Sequence, residues 1–150
     1  FEQGLADEKA WNDVSAYFNS LNKEDLKISE ASDSAYIFCY RLLHINGVQP
    51  ELDKCVRCGK PVLEENLSIS LVNGGIAHYK CLNTQKIEPY RIANATLNLS
   101  GGVLNFASLI NSESGISPLN IPNQEVLQDF KKLTEILFQY HFGIDISKLL

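Results

Sequence analysis

Four residues in the middle of the sequence have the types and the spacing of a metal site. Cys55 and Cys58 form one pair, and His78 and Cys81 form a second pair with the same offset of three. Two thiolates at this offset can grip one ion from a tight turn, and Gly59 behind them lets backbone N–H groups point at sulfur. Nineteen residues separate Cys58 from His78, a usual gap between two zinc-binding halves. The pattern predicts a closed Cys3His site for Zn2+, which is typical of structural zinc.

Other uses of the cysteines are weaker interpretations. A disulfide framework leaves His78 without a role, and free thiols suit a reducing cytoplasm. A thioredoxin-like redox pair at Cys55 and Cys58 needs a βαβ setting, which the surrounding sequence does not show. A c-type haem site requires His where Gly59 stands, and two unrelated surface pairs are the remaining alternative. Cys39 lies on the apolar face of a predicted helix and is expected to be a buried hydrophobic residue.

Basic residues flank the predicted metal site. Three thiolates around Zn2+ leave a net charge of about -1. Nearby cations can offset this charge or donate to sulfur, which explains part of the local basicity without nucleic acid. These cations are Lys54, Arg57, Lys60 and Lys80.

A β-hairpin must bring the two ligand pairs together. Alternating residues over 67–72 predict a short half-buried strand. Asn73-Gly74-Gly75 predicts a tight turn, because Asn and Gly tolerate positive φ. Residues 76–78 are the return strand and end on His78, so the hairpin carries the second pair back to the first.

Helices are predicted on both sides of this hairpin. Apolar residues at three- and four-residue spacing indicate helices over 5–21, 33–46 and 123–142. Asp33 and Asn123 are the candidate N-caps. Gly and Pro interrupt 92–122, where only Val103–Ile110 suits a short helix. The expected fold is mainly α, a helical bundle with an inserted small β-hairpin zinc finger.

Composition fits one domain made of three parts. The chain has 150 residues, 45% of them hydrophobic and 21% charged, so it can bury a sizeable core. We expect a helical part at 1–54, the zinc-finger insertion at 55–91, and a second helical part at 92–150. A start at Phe1 and the lack of any Met predict an excised fragment. No apolar run is long enough for a membrane helix.

The net charge of -5 is unevenly distributed. Residues 1–54 contain ten acids and five bases, whereas 55–150 contain eight of each. The acidic total argues against a strongly basic nucleic-acid clamp. No phosphate loop, nucleophile elbow or convincing carboxylate pair occurs, so we expect a protein that is not an enzyme.

Two segments resemble a known family. Phe38–Gly59, which reads FCYRLLHINGVQPELDKCVRCG, and Tyr140–Leu150, which reads YHFGIDISKLL, resemble bacterial RecO, the recombination-mediator repair family. The resemblance implies a helical domain with an inserted zinc finger, normally preceded by an OB-fold that is absent here. It also implies Zn2+ as cofactor, and His78 stands where that family typically has a fourth Cys.

The resemblance also implies a function in DNA repair and recombination. The family loads recombinase onto single strands coated by single-strand-binding protein and anneals complementary strands. Expected partners are RecR, the acidic apolar-ended tail of single-strand-binding protein, and single- and double-stranded DNA, the DNA mainly through the missing OB-fold. Candidate partner or DNA contacts are Arg41, Lys131, Lys132 and Lys148. The alternatives are a generic zinc-stabilised protein-interaction module without a nucleic-acid role, and an oxidoreductase using Cys55 and Cys58.

Overall fold

The fold is known from a computed structural model that describes residues 8–22, 27–62, 67–83, 101–112 and 122–150. In these ranges the chain is mainly α-helical with one antiparallel hairpin, which confirms the predicted class. The elements are α1 (Glu8–Leu21), α2 (Ile28–Ile45), β1 (Leu67–Ser70), β2 (Gly75–His78), α3 (Tyr79–Asn83), α4 (Gly101–Ser112), α5 (Gln124–Phe142) and a short 3-10 helix (Ile146–Lys148).

Three helices, α2, α4 and α5, enclose the core. The ring of Phe130 on α5 packs edge-on against Phe106 of α4, with centroids 4.9 Å apart. On its other side it meets the ring of Tyr40 on α2, at 5.2 Å. All three rings are buried. Tilted aromatic pairs of this kind stabilise beyond the area they bury, so this triad ties the three helices together.

The start of α2 differs from the prediction. Asp33 is not the N-cap, because the helix begins at Ile28. The carboxylate of Glu30 accepts the backbone N–H of Lys27 at 3.4 Å and so satisfies the helix start instead. Asp33 lies one turn inside and pairs with Lys131 of α5, Nζ to Oδ1 at 2.6 Å. The first turn of α2 lacks apolar periodicity. The apolar pattern of the sequence therefore predicts only the part of the helix that faces the core.

Helix α1 packs on α2 through a ring stack. Tyr17 lies parallel to Phe38 with centroids 4.4 Å apart. The apolar spacing over 5–21 predicts Trp11 and Phe18 on the packed face, but they are 68% and 63% exposed. The prediction is wrong for these two residues, and Tyr17 takes the place of Phe18 against α2. The half-buried positions at helical spacing are Val14, Tyr17 and Leu21.

The later helices follow the local signals closely. Helix α4 contains the predicted Val103–Ile110. Asn123 caps α5, its Oδ1 accepting the Val126 N–H at 3.0 Å, and Gly143 ends it with φ 68°.

None of the helices in the described ranges combines the length and apolarity needed to cross a membrane.

A third segment lies beside the predicted hairpin. Strands β1 and β2 pair with Ile69 opposite Ile76, as the turn signal requires. Residues 51–56 then run along the free side of β2. The Ile76 N–H donates to the Glu51 carbonyl at 2.9 Å, and the Val56 N–H donates to the Ile76 carbonyl at 2.9 Å. These bonds hold the segment that carries Cys55 against the strand that leads to His78.

The hairpin and the helices share one hydrophobic core. Ile69, Leu71 and Ile76 belong to the same buried cluster as Leu43 of α2 and the aromatic triad. The hairpin is therefore seated on the bundle by apolar contacts as well as by its connections along the chain.

Replacement of Gly75 tests the contact between 51–56 and β2. A Cβ at this position would lie 2.6 Å from both the Glu51 carbonyl oxygen and the Val56 Cγ1. Because backbone atoms move away from such a clash only at a high energetic cost, we expect Gly75→Ala to lower the free energy of unfolding by about 2 kcal/mol. Denaturant unfolding followed by circular dichroism measures this loss.

Gly101→Ala is the matched control. A Cβ at Gly101 meets nothing within 4 Å, and Ala suits a helix better than Gly, so stability should stay equal or rise by up to about 1 kcal/mol. Equal stability of the two variants would contradict the close approach at Gly75.

Candidate metal centre

The first cysteine pair lies in a tight knuckle. Lys54 and Pro61 form an isolated antiparallel bridge, and the Cys55 N–H donates to the Lys60 carbonyl at 2.9 Å. Gly59, with φ 71°, closes the turn, since few other residues adopt this conformation. Its N–H donates to the Cys55 carbonyl at 2.8 Å.

The second pair lies where β2 becomes α3. His78 is the last residue of β2, and Tyr79 begins α3. Cys81 follows His78 by three residues, so one helical turn places both side chains on the same side. The Val56–Ile76 hydrogen bond joins the two halves by backbone two residues before His78.

The structure brings all four predicted ligands together. One donor atom from each of Cys55, Cys58, His78 and Cys81 lies within 4.8 Å of all the others. The Nδ1 of His78 is 3.5 Å from the Cys58 sulfur and 3.7 Å from the Cys81 sulfur. A tetrahedral ion with ordinary Zn–S and Zn–N bonds separates such atoms by about 3.5 Å. The spacing therefore fits one tetrahedral ion held through Nδ1.

Hydrogen bonds and neighbouring sulfurs give the thiols of the site different pKa values. Burial disfavours the Cys55 thiolate, but backbone N–H groups of Cys58, His78 and Arg57 donate to its sulfur and lower its pKa to about 6. Burial and the neighbouring Cys58 and Cys55 sulfurs raise the pKa of Cys81 to about 11. A cation among the sulfurs relieves this repulsion, because it favours the thiolate at each of them.

The donor set selects the class of metal. Three sulfurs and one imidazole nitrogen suit a soft or borderline ion such as zinc, whereas magnesium and calcium prefer oxygen. Cys55 is fully buried and Cys58 is exposed, so the site lies at the surface with one side anchored in the protein.

The fourth cysteine stands apart, as predicted. Cys39 is outside the metal cluster and packs against the hydrophobic core from α2. Burial raises the pKa of its thiol to about 11, so it stays protonated.

The predicted partner contacts lie in different environments. Arg41 is buried, with 3% of its surface exposed. Lys131 is mostly buried in its pair with Asp33, and its Nζ lies 5.2 Å from the Tyr36 ring centroid. The side chains of Lys132 and Lys148 are 59% and 79% exposed, each beside an aspartate of its own helix or turn. Such exposed pairs contribute little and leave the cation accessible.

Sequence reasoning missed the groups that support these residues. The partners of Lys131, Asp33 and the Tyr36 ring, come from tertiary packing, which no local pattern shows. Backbone N–H donors to sulfur were expected from the CxxCG turn, but the donor from His78, in the second ligand pair, was not.

Comparison with known proteins adds one match. The family model described as Recombination protein O C terminal matches residues 2–149. Neither the curated proteins nor the solved structures contain a match.

Loss of one ligand tests the metal centre. Cys58→Ala leaves three donors, so we expect metal affinity to fall by more than about 100-fold and bound metal to drop from one ion per chain to nearly none. The finger should lose order locally while the helices persist, because the rings of Tyr40, Phe106 and Phe130 hold them together without the metal. Elemental analysis and far-UV circular dichroism measure the two effects.

Cys39→Ala provides the matched control, because Cys39 is a cysteine outside the cluster. It should keep the wild-type metal content. Full metal content in Cys58→Ala would refute the ligand assignment.

Proposed function

This chain belongs to the family of recombination protein O C-terminal domains, and we propose that it is the helical and zinc-binding part of a bacterial recombination mediator. The family places the chain in DNA repair and recombination. The observation that carries the proposal is the match over residues 2–149, and the Cys3His cluster agrees with the zinc finger expected in that family.

We propose Zn2+ as the ion held by Cys55, Cys58, His78 and Cys81. Four protein donors complete a tetrahedral shell and leave no position for substrate or water, so the metal's chemistry is structural. The ion then fastens the knuckle to the end of β2. This supports a protein that works by binding and not as an enzyme.

In the proposed mechanism the domain acts through partners. The intact protein loads recombinase onto single strands coated by single-strand-binding protein and anneals complementary strands. RecR and single- and double-stranded DNA are the further partners, with the expected OB-fold carrying most of the DNA contact. The division into 1–54, 55–91 and 92–150 remains part of the proposal, and the common core of hairpin and helices supports a finger inserted into one domain.

The end of α5 suits the acidic tail of single-strand-binding protein. Such a tail needs apolar surface beside positive charge. Lys148 supplies exposed charge, and large apolar side chains are exposed over the same stretch of sequence. They are Tyr140, Phe142, Ile144, Leu149 and Leu150. The cavity of about 440 Å³ near His44 fits less well, because Glu51 and Asp53 on its wall repel an acidic peptide.

Two other functions have some support. A zinc-stabilised interaction module without nucleic acid agrees with the acid excess in residues 1–54. An oxidoreductase agrees with the lowered pKa of Cys55, although the complete burial of that residue keeps substrates from its sulfur. Reversible oxidation and reduction of the thiols, in a chain that stays folded after a chelator removes its metal, would favour the oxidoreductase.

Binding of the tail peptide tests the proposal. A labelled acidic peptide with an apolar end should bind the wild-type chain, and removal of its apolar end should abolish binding. Lys148→Gln should weaken binding about fivefold because it removes the positive charge. Leu149→Ser should weaken it by a similar factor because it removes exposed apolar surface. Fluorescence anisotropy measures the affinities.

Lys27→Gln is the control, since it removes an exposed lysine at the start of α2. Its affinity should equal that of the wild type. No binding of the peptide or of RecR by the wild-type chain would favour the generic module.

A further inference from the structure

The polar cavity near His44 lies where the hairpin meets the helices. Its volume of about 440 Å³ falls within the range of ligand-binding pockets, which is about 300 to 1,000 Å³. Three parts of the chain form its wall: the end of α2 with the segment that follows it to Asp53, Gly74 of the hairpin turn, and Ser108 and Asn111 of α4. A side chain of a partner or a small molecule therefore has room between the hairpin and the bundle.

The charged groups on the wall of this cavity are acidic. Glu51 and Asp53 contribute two carboxylates, and the described residues of the wall include neither Lys nor Arg. The ion pairs between described residues join other side chains, so no described cation neutralises either carboxylate. The cavity is therefore suited to a ligand that brings positive charge.

Glu51 is held in place before any ligand binds. Its N–H donates to the Gly74 carbonyl at 2.8 Å, and its carbonyl accepts the Ile76 N–H at 2.9 Å. Its Oε1 accepts the Asp53 N–H at 2.9 Å, and its Oε2 can accept from a ligand. A carboxylate fixed in this way binds a cation with little further loss of side-chain entropy.

Asn111 adds an acceptor that lacks a donor. Its Oδ1 is buried and accepts no hydrogen bond from the described residues. A buried acceptor without a donor is costly, and each such group in a native structure calls for an explanation. Because Asn111 lines the cavity, rotation of its amide presents this oxygen to an N–H of a ligand.

The helix ends and the remaining wall favour the same kind of ligand. His44 and Asn111 lie in the last turns of α2 and α4, where the helix dipole places partial negative charge. The Nδ1 of His44 donates to the Gln49 Oε1 at 2.6 Å, so the neutral imidazole has an acceptor at Nε2. Leu52 supplies apolar surface for the stem of a long basic side chain.

We propose that this cavity binds a guanidinium or primary ammonium group on an alkyl stem, carried by a basic side chain of a partner protein or by a free polyamine. Glu51 and Asp53 pair with the cation, and Asn111 accepts one of its N–H groups. The site uses none of the metal ligands and none of the apolar surface at the end of α5. It therefore adds a ligand to those of the proposed function.

An NMR titration of the isotope-labelled, metal-loaded 150-residue chain tests the site with two probes. N-acetyl-arginine amide represents a protein side chain, and spermidine represents a free polyamine. We expect dissociation constants of about 1 mM, which is typical of such small ligands, with the largest shifts at the amides of Gly74, Ser108 and Asn111. The probe that binds more tightly identifies the source of the cation.

The neutral analogue of the arginine probe separates charge from shape. N-acetyl-citrulline amide has nearly the same shape and no charge, so it should cause no shifts at the same concentration.

Two variants remove single groups of the site. Glu51→Gln loses the charge but keeps an oxygen for the Asp53 N–H, so the fold should survive while both probes bind about tenfold more weakly. Asn111→Ala should weaken binding about fivefold, because it removes one acceptor. Glu125→Gln is the matched control, since Glu125 is an exposed acid at the start of α5 and does not line the cavity. Its affinity should equal that of the wild type.

Three results would overturn the proposal. They are wild-type affinity in Glu51→Gln, equal binding of the citrulline and arginine probes, and the absence of shifts at the cavity with both charged probes. Bound metal and tail-peptide binding are measured on the same samples. Their retention in any of these cases would leave the proposed function standing, because neither depends on the cavity.

Discussion

The backbone pairing of residues 51–56 with β2 is the constraint on which the metal centre depends. It places the knuckle beside the end of the strand, so that ligands twenty positions apart in sequence meet within 4.8 Å. Gly75 makes this possible, because any side chain there would strike the Glu51 carbonyl. A metal ion bound to such a site adds its four ligand bonds to the hydrogen bonds of this pairing and fixes the knuckle against the end of β2.

Local signals predicted much of this structure, and tertiary pairing accounts for what they missed. The CxxC and HxxC spacing, the Asn73-Gly74-Gly75 turn and the cap at Asn123 each depend on a few neighbouring residues, and each was predicted from the sequence. The third segment beside β2 was not predicted, because residues 51–56 show no alternation. The pairing of Asp33 with Lys131 depends on a contact with α5, about a hundred positions away.

The shared core sets how firmly the finger is held. Ile69 and Ile76 are fully buried in the cluster that includes Tyr40 and Phe130, so the hairpin cannot swing as an independent module. The metal-binding knuckle therefore has a defined orientation relative to the bundle. Because the finger is held rigidly, it loses little conformational entropy when a ligand contacts several of its side chains at once.

The charges of this domain are distributed unevenly between the helical part and the finger. The acid excess lies in residues 1–54, and part of it is used internally, since Asp33 neutralises Lys131. The finger carries its cations on exposed positions. A polyanion near this domain is repelled more strongly by the acidic helical part than by the finger, and salt screens this difference.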